Sequence, residues 1–217
     1  MDIRDAYNQW SHTYDSDDNK TRDLDRVVTG HVLGHSHFTA IIEAGCGTGK
    51  NTLLFSRIGT KVQAIDFSED MLRRATVKLR HVHNVEFVYA DLIQCWPYKP
   101  CSADLVSCNL VLEHVRNLEP VFAEAARVLR RKGQLFVCEL HPYRQYQGVV
   151  ATYHDEGQAI QIPAFVHHIS DFLTSAQQNG FTLTSLQEWW HEKDDGKLPR
   201  LVSFLFEKST SASTQGS

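Results

Sequence analysis

Between residues 39 and 140 the sequence alternates short apolar runs with longer amphipathic ones, and few chain folds satisfy that alternation. The runs TAIIEAG (39–45), KVQAIDF (61–67), VEFVYADL (85–92), ADLVSCNLV (103–111) and QLFVCEL (134–140) read as strands. Between them, residues 50–59, 68–80 and 118–133 read as helices; Ser68 is placed to cap the second, with two acids in its first turn, and Gly133 to stop the third. Strand–helix alternation implies parallel strands joined by right-handed crossovers, hence an α/β doubly wound sheet. The end of the chain departs from the pattern. A helix over 169–180 is followed by strands at 181–190 and 200–208, joined by the polar turn HEKDDGKLP, which reads as a hairpin closing the sheet antiparallel. Two segments stand outside the alternation, an N-terminal arm (1–38) and an insert after the fifth strand (141–168). With 217 residues and 42% hydrophobic composition, the chain suits a single domain over 1–208, and STSASTQGS (209–217) reads as a disordered tail.

The loop after the first strand, EAGCGTGKNT, says most about function. A phosphate-binding loop needs G-x-x-x-x-G-K-[ST]; here Ala44 replaces the first glycine and Asn51 the final hydroxyl, so Lys50 reads as a solvated lysine at a helix start. A dinucleotide loop needs G-x-G-x-x-G, and the third glycine of Gly45, Gly47 and Gly49 comes one residue early. The glycines still imply close approach of a ligand at the carboxyl end of a parallel strand. Glu43 before the loop repels a pyrophosphate and welcomes an ammonium. Asp66, ending the second strand, can accept both hydroxyls of a ribose; Asp91, after the third, can accept from an adenine amino group; Asn109 ends the fourth strand beside the loop. An adenosine carrying an amino acid, without phosphates, fits all four.

These motifs, with VQAIDFSEDML, YADL and SADLVSCNLVLEHV…LEPVFAEAARVLRRKGQLFVCEL, resemble the class I S-adenosylmethionine-dependent methyltransferases of small-molecule type, over about residues 39–140 plus the closing hairpin. The resemblance implies a mostly parallel seven-stranded Rossmann-like sheet with the last strand antiparallel, and S-adenosyl-L-methionine as cofactor. It places the methionine part on the loop of Gly45, Cys46, Gly47 and Gly49, the ribose on Asp66, and the adenine on Asp91 and Leu92, with Phe67 and Met71 nearby and Asn109 in contact. The arm's AYNQWSHTYD (6–15) is similar to the tyrosine-containing opening that folds over the cofactor, with Tyr14 at its carboxylate end. Tyr7, Trp10 and Tyr14 also fit a plain apolar helix face.

Methyl transfer from a sulfonium is an in-line displacement, so the protein must align the nucleophile and remove a proton where there is one. In the family the acceptor pocket is built from the arm and the insert. The insert is rich in bases and polar aromatics; His167 and His168, then His141, are the base candidates, and Tyr143, Arg144 and Tyr153 the substrate-binding ones, with Arg144 suited to a carboxylate. His114 in LEHV is expected to pack locally beside the fourth strand, with lining of the active site as the alternative. The function expected is methyl transfer to an oxygen or nitrogen of a small organic acceptor. The alternatives are an RNA or protein methyltransferase, disfavoured because NLVL stands where an N-P-P-Y-type tetrad would, a non-catalytic cofactor-binding module, and more remotely a nicotinamide oxidoreductase.

Net charge is −4 and no basic stretch suggests a nucleic-acid partner. The opening MDIRDAYNQW lacks the apolar core of a signal peptide, and no apolar run approaches the roughly 20 residues of a membrane span, so a cytoplasmic protein is expected. Five cysteines without C-x-x-C spacing argue against a zinc site or a disulfide framework and read as small buried hydrophobes; no acid or cysteine completes a metal set with the histidines of HVLGHSH (31–37), so no metal is expected. Trp189 and Trp190 fit either a core or a dimer contact, leaving monomer or homodimer open.

Overall fold

The chain order of elements is α1 (Ile3–Trp10), α2 (Lys20–Leu33), β1 (Phe38–Ala44), α3 (Thr52–Ile58), β2 (Gly59–Asp66), α4 (Glu69–Lys78), β3 (Val85–Tyr89), β4 (Ala103–Asn109), a 3-10 turn (Leu112–His114), α5 (Glu119–Val128), β5 (Leu129–Leu140), α6 (Pro142–Tyr146), β6 (Thr152–Asp155), β7 (Gln158–Gln161), α7 (Ile169–Gln178), β8 (Phe181–Trp189) and β9 (Leu201–Lys208). The computed structural model describes residues 2–210 except 156 and 195, so the expected tail lies outside the described residues from 211 onward.

Seven strands form one sheet in the order β3-β2-β1-β4-β5-β9-β8. The first five pair in parallel, and β9 runs antiparallel to both of its neighbours. Parallel strands need cover on both faces, which is why the central ones are apolar almost throughout. Val121, Phe122 and Ala125 of α5 join Phe172 and Ala176 of α7 over one face. Leu24, Val28 and Leu33 of α2 join Phe55 and Ile58 of α3 over the other. The strand order reverses between β1 and β4, and at such a switch point the helices diverge and leave a crevice above the carboxyl ends.

The arm and the insert meet above that crevice. Ala6 and Trp10 of α1 bury against Tyr153 and Ile162, and the Trp10 and Tyr153 rings stack with centroids 5.6 Å apart. The insert contains α6 and the β6–β7 hairpin. Boundaries differ from the sequence pattern: the third strand ends at Tyr89 and the fourth at Asn109, short of the expected 92 and 111. The helix expected to reach Gly133 stops at Val128, because the chain turns sharply through a left-handed Lys132 (φ 61°) and is already paired to β4 at Leu129. The helix expected to close on Gly59 does so: Gly59 caps it after Ile58, its amide donating to the Phe55 carbonyl, and also opens β2, paired to Phe38. Cys46, Cys108 and Cys138 are buried as small hydrophobes, whereas Cys95 and Cys101 are exposed, and all five are unpaired. Trp189 packs beside His31 in the core under α2, and Trp190 is half exposed.

Candidate active site

A cavity of about 410 Å³ fills the crevice, walled by the ends of β1, β2 and β4, by the loop after β3 and by the arm. Its floor is the loop after β1. Gly45 has φ +78°, and a side chain there would strike Val111 at 2.5 Å; Gly47 has φ +53°, and a Cβ there would meet nothing within 4 Å. The loop therefore turns left-handed where only glycine does so cheaply, and at Gly47 it leaves its backbone open to a ligand. Asp66 fixes the loop from the next strand. Its Oδ2 accepts from the Gly47 amide at 2.8 Å and its Oδ1 from the Ser68 amide at 2.9 Å. Burial pushes its carboxyl up to about 6 despite these bonds. Glu43 accepts from Thr52 Oγ1 at 2.5 Å, and burial lifts it to about 8. A buried carboxyl raised this far is poised to ionise when a cation arrives beside it.

The arm adds charges that sequence reasoning missed. Arg22 and Asp25 lie one turn apart on α2, both under 9% exposed, and both line the cavity. The Arg22 guanidinium lies 4.0 Å over the Tyr14 ring; it donates to the Tyr14 carbonyl and, at 3.0 Å, to that of Asp17, while its Nε is buried without a partner. Asp25 accepts from Asn51 Nδ2 and Asn109 Nδ2, each at 2.7 Å, and burial raises its carboxyl. A guanidinium with an unused donor beside a carboxylate matches an amino-acid zwitterion. The signal was present: Arg22, Asp25 and Thr29 follow i, i+3, i+7 on the stripe of α2 that ends in buried Leu33, where a helix buries its apolar face.

The third feature lies opposite the loop. The 3-10 turn after β4 carries His114 into the cavity wall, where its Nε2 meets the Tyr7 hydroxyl at 2.7 Å and its Nδ1 meets the Pro163 carbonyl at 3.0 Å. A carbonyl only accepts, so Nδ1 bears the proton and Nε2 accepts from Tyr7. Burial lowers the His114 pKa and raises that of Tyr7 well above its ordinary value. The pair is therefore a neutral imidazole facing a protonated phenol at neutral pH.

Of the residues expected to hold a cofactor, Tyr14, Glu43, Gly45, Cys46, Gly47, Asp66, Phe67, Asp91, Leu92 and Asn109 line this cavity. Gly49 and Met71 do not; Met71 is 1% exposed, in the core beneath α4. The Asn109 amide group is committed to Asp25 and Thr29. Lys50, expected to be solvated, pairs with Asp23 at 2.7 Å at the cavity's rim. The residues expected on the acceptor side lie outside the cavity. His141 is wholly buried, accepting from the Tyr143 amide and donating to Glu188. His167 donates to the Val115 carbonyl at 2.8 Å, and His168 sits at the start of α7 against Tyr146. Arg144 donates to the carbonyls of Pro199 and Leu198 and pairs with Asp194, which leaves its charge used inside the protein. Tyr143 is half exposed against His141, and Tyr153 donates its hydroxyl to Gln9. Among the described residues no group of three His, Cys, Asp or Glu is placed to hold a metal, and no helix is long and apolar enough to cross a membrane.

The family described as "Methyltransferase domain" matches residues 42–137, the stretch that builds the loop and the strand ends. A demethylmenaquinone methyltransferase of Tropheryma whipplei is 28% identical over 201 residues, covering 89% of this chain and 79% of the relative. A thiol S-methyltransferase of Homo sapiens is 34% identical over 125 residues, covering 56% of this chain and half of its own length (50%). Among solved structures, phosphoethanolamine N-methyltransferase 1 of Haemonchus contortus, in complex with phosphoethanolamine and S-adenosylhomocysteine, superposes with a TM-score of 0.76 at 17% identity, over 99% of this chain and 51% of that one.

Proposed function

Because the chain is a class I S-adenosylmethionine-dependent methyltransferase, we propose that it methylates a small organic acceptor at an oxygen or nitrogen that carries a proton, in the cytoplasm. The observation that carries the reading is the Tyr7–His114 pair on the wall of the cofactor cavity. A half-buried phenol held against a neutral imidazole has the arrangement of a proton relay. The small size of the acceptor is supported by relatives whose names specify a quinone and a thiol as acceptors. The compartment is supported by five unpaired cysteines, two of them exposed.

The cofactor's chemistry, when it is bound, is a methyl group on a sulfonium leaving group. The residues of the chain fit that cofactor: Arg22, with its unused Nε, suits the carboxylate; Asp25 and Glu43 suit the ammonium; the open backbone at Gly47 suits the methionine chain. Asp66 would accept the ribose hydroxyls, and Asp91 and Leu92, with Phe67, would hold the adenine; all four line the cavity. The acceptor's nucleophile hands its proton to the Tyr7 oxygen as Tyr7 passes its own to His114 Nε2, while the bond from Nδ1 to Pro163 holds the required tautomer.

The test is purified protein with methyl-labelled S-adenosylmethionine and a fractionated cell extract, read by mass spectrometry. Label in the low-mass fraction is expected and gives the acceptor's mass. Label confined to RNA or protein overturns the small-acceptor reading. No label, with S-adenosylhomocysteine binding demonstrated in the same sample, points to a binding module.

A further inference from the structure

A second cavity, about 160 Å³, shares Tyr7, Tyr14, Arg22 and Leu110 with the cofactor cavity and extends from them toward the insert. Its remaining walls mix apolar residues, Trp10, Leu140 and 149–151, with polar ones, Asn19, Thr21 and Thr152, and one buried acid, Glu113. Glu113 is 7% exposed; the Gln145 side chain hydrogen-bonds its carboxyl group, but its Oε2 has no hydrogen-bond partner among the described residues. Its Oε1 lies 3.7 Å from His114 Nε2, so the free oxygen belongs to the same small region as the proton relay. A buried carboxyl oxygen left unmatched is costly, and a folded protein keeps one where something else supplies the donor. The neighbouring acid, Glu139, likewise keeps an Oε2 without a partner among the described residues, but its other oxygen is engaged by the backbone. Glu139 Oε1 accepts from the Val111 and Leu112 amides and so holds the turn on which Glu113 and His114 sit. No backbone amide is bonded to Glu113 in this way among the described residues. Arg22, the only cation on this cavity's wall among the described residues, is turned to the carbonyls of Tyr14 and Asp17 and does not neutralise it.

We propose that this second cavity is the acceptor's subsite, and that Glu113 Oε2 receives a hydrogen bond from an amine N–H or a hydroxyl O–H on a small acceptor. The inference rests on the methyltransferase reading, because Tyr7, whose hydroxyl meets His114, is among the residues that line both cavities. Glu113 here is a specificity-determining residue: an acceptor without the donor leaves the buried oxygen unmatched, and such a site discriminates strongly against it.

Three ligands of one shape test this: aniline, phenol and toluene, titrated calorimetrically into protein saturated with S-adenosylhomocysteine. Aniline or phenol is expected to bind at least about tenfold tighter than toluene, and which of the two wins tells amine from hydroxyl. In Glu113→Leu the preference is expected to vanish while S-adenosylhomocysteine affinity stays unchanged and the melting temperature holds or rises, since an unmatched buried acid has been removed. Toluene binding as tightly as the others, no binding of any of the three, or a preference that survives in Glu113→Leu overturns the proposal. So does a lowered melting temperature in that variant, which marks Glu113 as structural. Ala151→Leu, on the opposite wall, provides a second variant expected to abolish the binding by filling space. Failure of S-adenosylhomocysteine itself to bind counts against the methyltransferase reading and is read separately.

Discussion

Asp66 illustrates how much a single side chain organises here. It ties the loop after β1 to the end of β2 through the Gly47 and Ser68 amides while facing the cavity. In the proposed cofactor site, each ribose hydroxyl that Asp66 would accept is a hydrogen bond to a charged group, about 1.5–3 kcal/mol. Asp66→Ala is therefore expected to weaken S-adenosylhomocysteine binding by about a hundredfold or more in a calorimetric titration; unchanged affinity would show that the ribose lies elsewhere. Tyr7→Phe removes the relay's proton and keeps the ring. It should lower kcat about 10²-fold with little change in the KM for the cofactor, His114→Ala should do much the same, and the double variant should be scarcely worse than either. Additive losses would separate the two residues. Glu43 makes a prediction about pH. Its carboxyl moves from 4.5 to about 8 on folding, so the native state holds the proton more tightly than the unfolded chain. The stability this lends is complete below 4.5 and lost as pH rises toward about 8. The melting temperature of Glu43→Gln without cofactor should thus gain on that of the parent across this window. A constant difference would mean that Glu43 is already ionised in the fold.

At the scale of elements, α2 separates what could be read in the sequence from what could not. The five parallel strands and their loop were legible because a strand buried on both faces has to be apolar, and a loop admitting a ligand has to be glycine-rich; Asp66 and Asp91 then fall at strand ends by position alone. Partnerships across long separations were not legible. Tyr7 and His114 stand 107 residues apart, and nothing in LEHV indicates that the histidine meets a tyrosine of the arm. His141 and His167 looked available in the sequence, but burial and internal bonds occupy them. Arg22 and Asp25 were hidden because one charged stripe on an arm helix resembles a solvated face until Thr29 and Leu33 are seen to share its burial. If α2 reads the cofactor's zwitterion, Arg22→Met should raise the KM for S-adenosylmethionine about 10- to 100-fold with kcat nearly unchanged. Arg22→Lys should not rescue it, because one ammonium cannot span the Tyr14 and Asp17 carbonyls and still reach the cofactor.

For the molecule as a whole, the question is what holds the arm and insert onto the sheet. Asp194, expected only as part of a polar turn, is 2% exposed and is gripped by two arginines. Arg200 contributes Nε at 2.6 Å and Nη2 at 2.5 Å, and Arg144 of α6 contributes Nη2 at 3.3 Å. Arg200 also donates to Thr21 Oγ1, in the first turn of α2, at 3.0 Å. One carboxylate thus links the β8–β9 turn, the insert and the helix that carries Arg22. The Arg200 guanidinium holds the Asp194 carboxyl well below its usual range, so its stabilisation is present above 3.8 and lost as pH falls below that value. Removing one partner of a buried ion pair costs about 3–5 kcal/mol, which for a chain of this size lowers the melting temperature by roughly 6–20 °C. Asp194→Asn should show that loss, and its location is the stronger test. Central-strand amides of β1 and β4 are paired on both sides and owe nothing to Asp194, so their hydrogen exchange below the transition should stay slow. Amides of α2 and α6 should exchange faster, and S-adenosylhomocysteine, by engaging Arg22, should restore protection to α2 but not to α6. Equal acceleration everywhere would mean that the network supports the sheet itself and not the arm that closes the site.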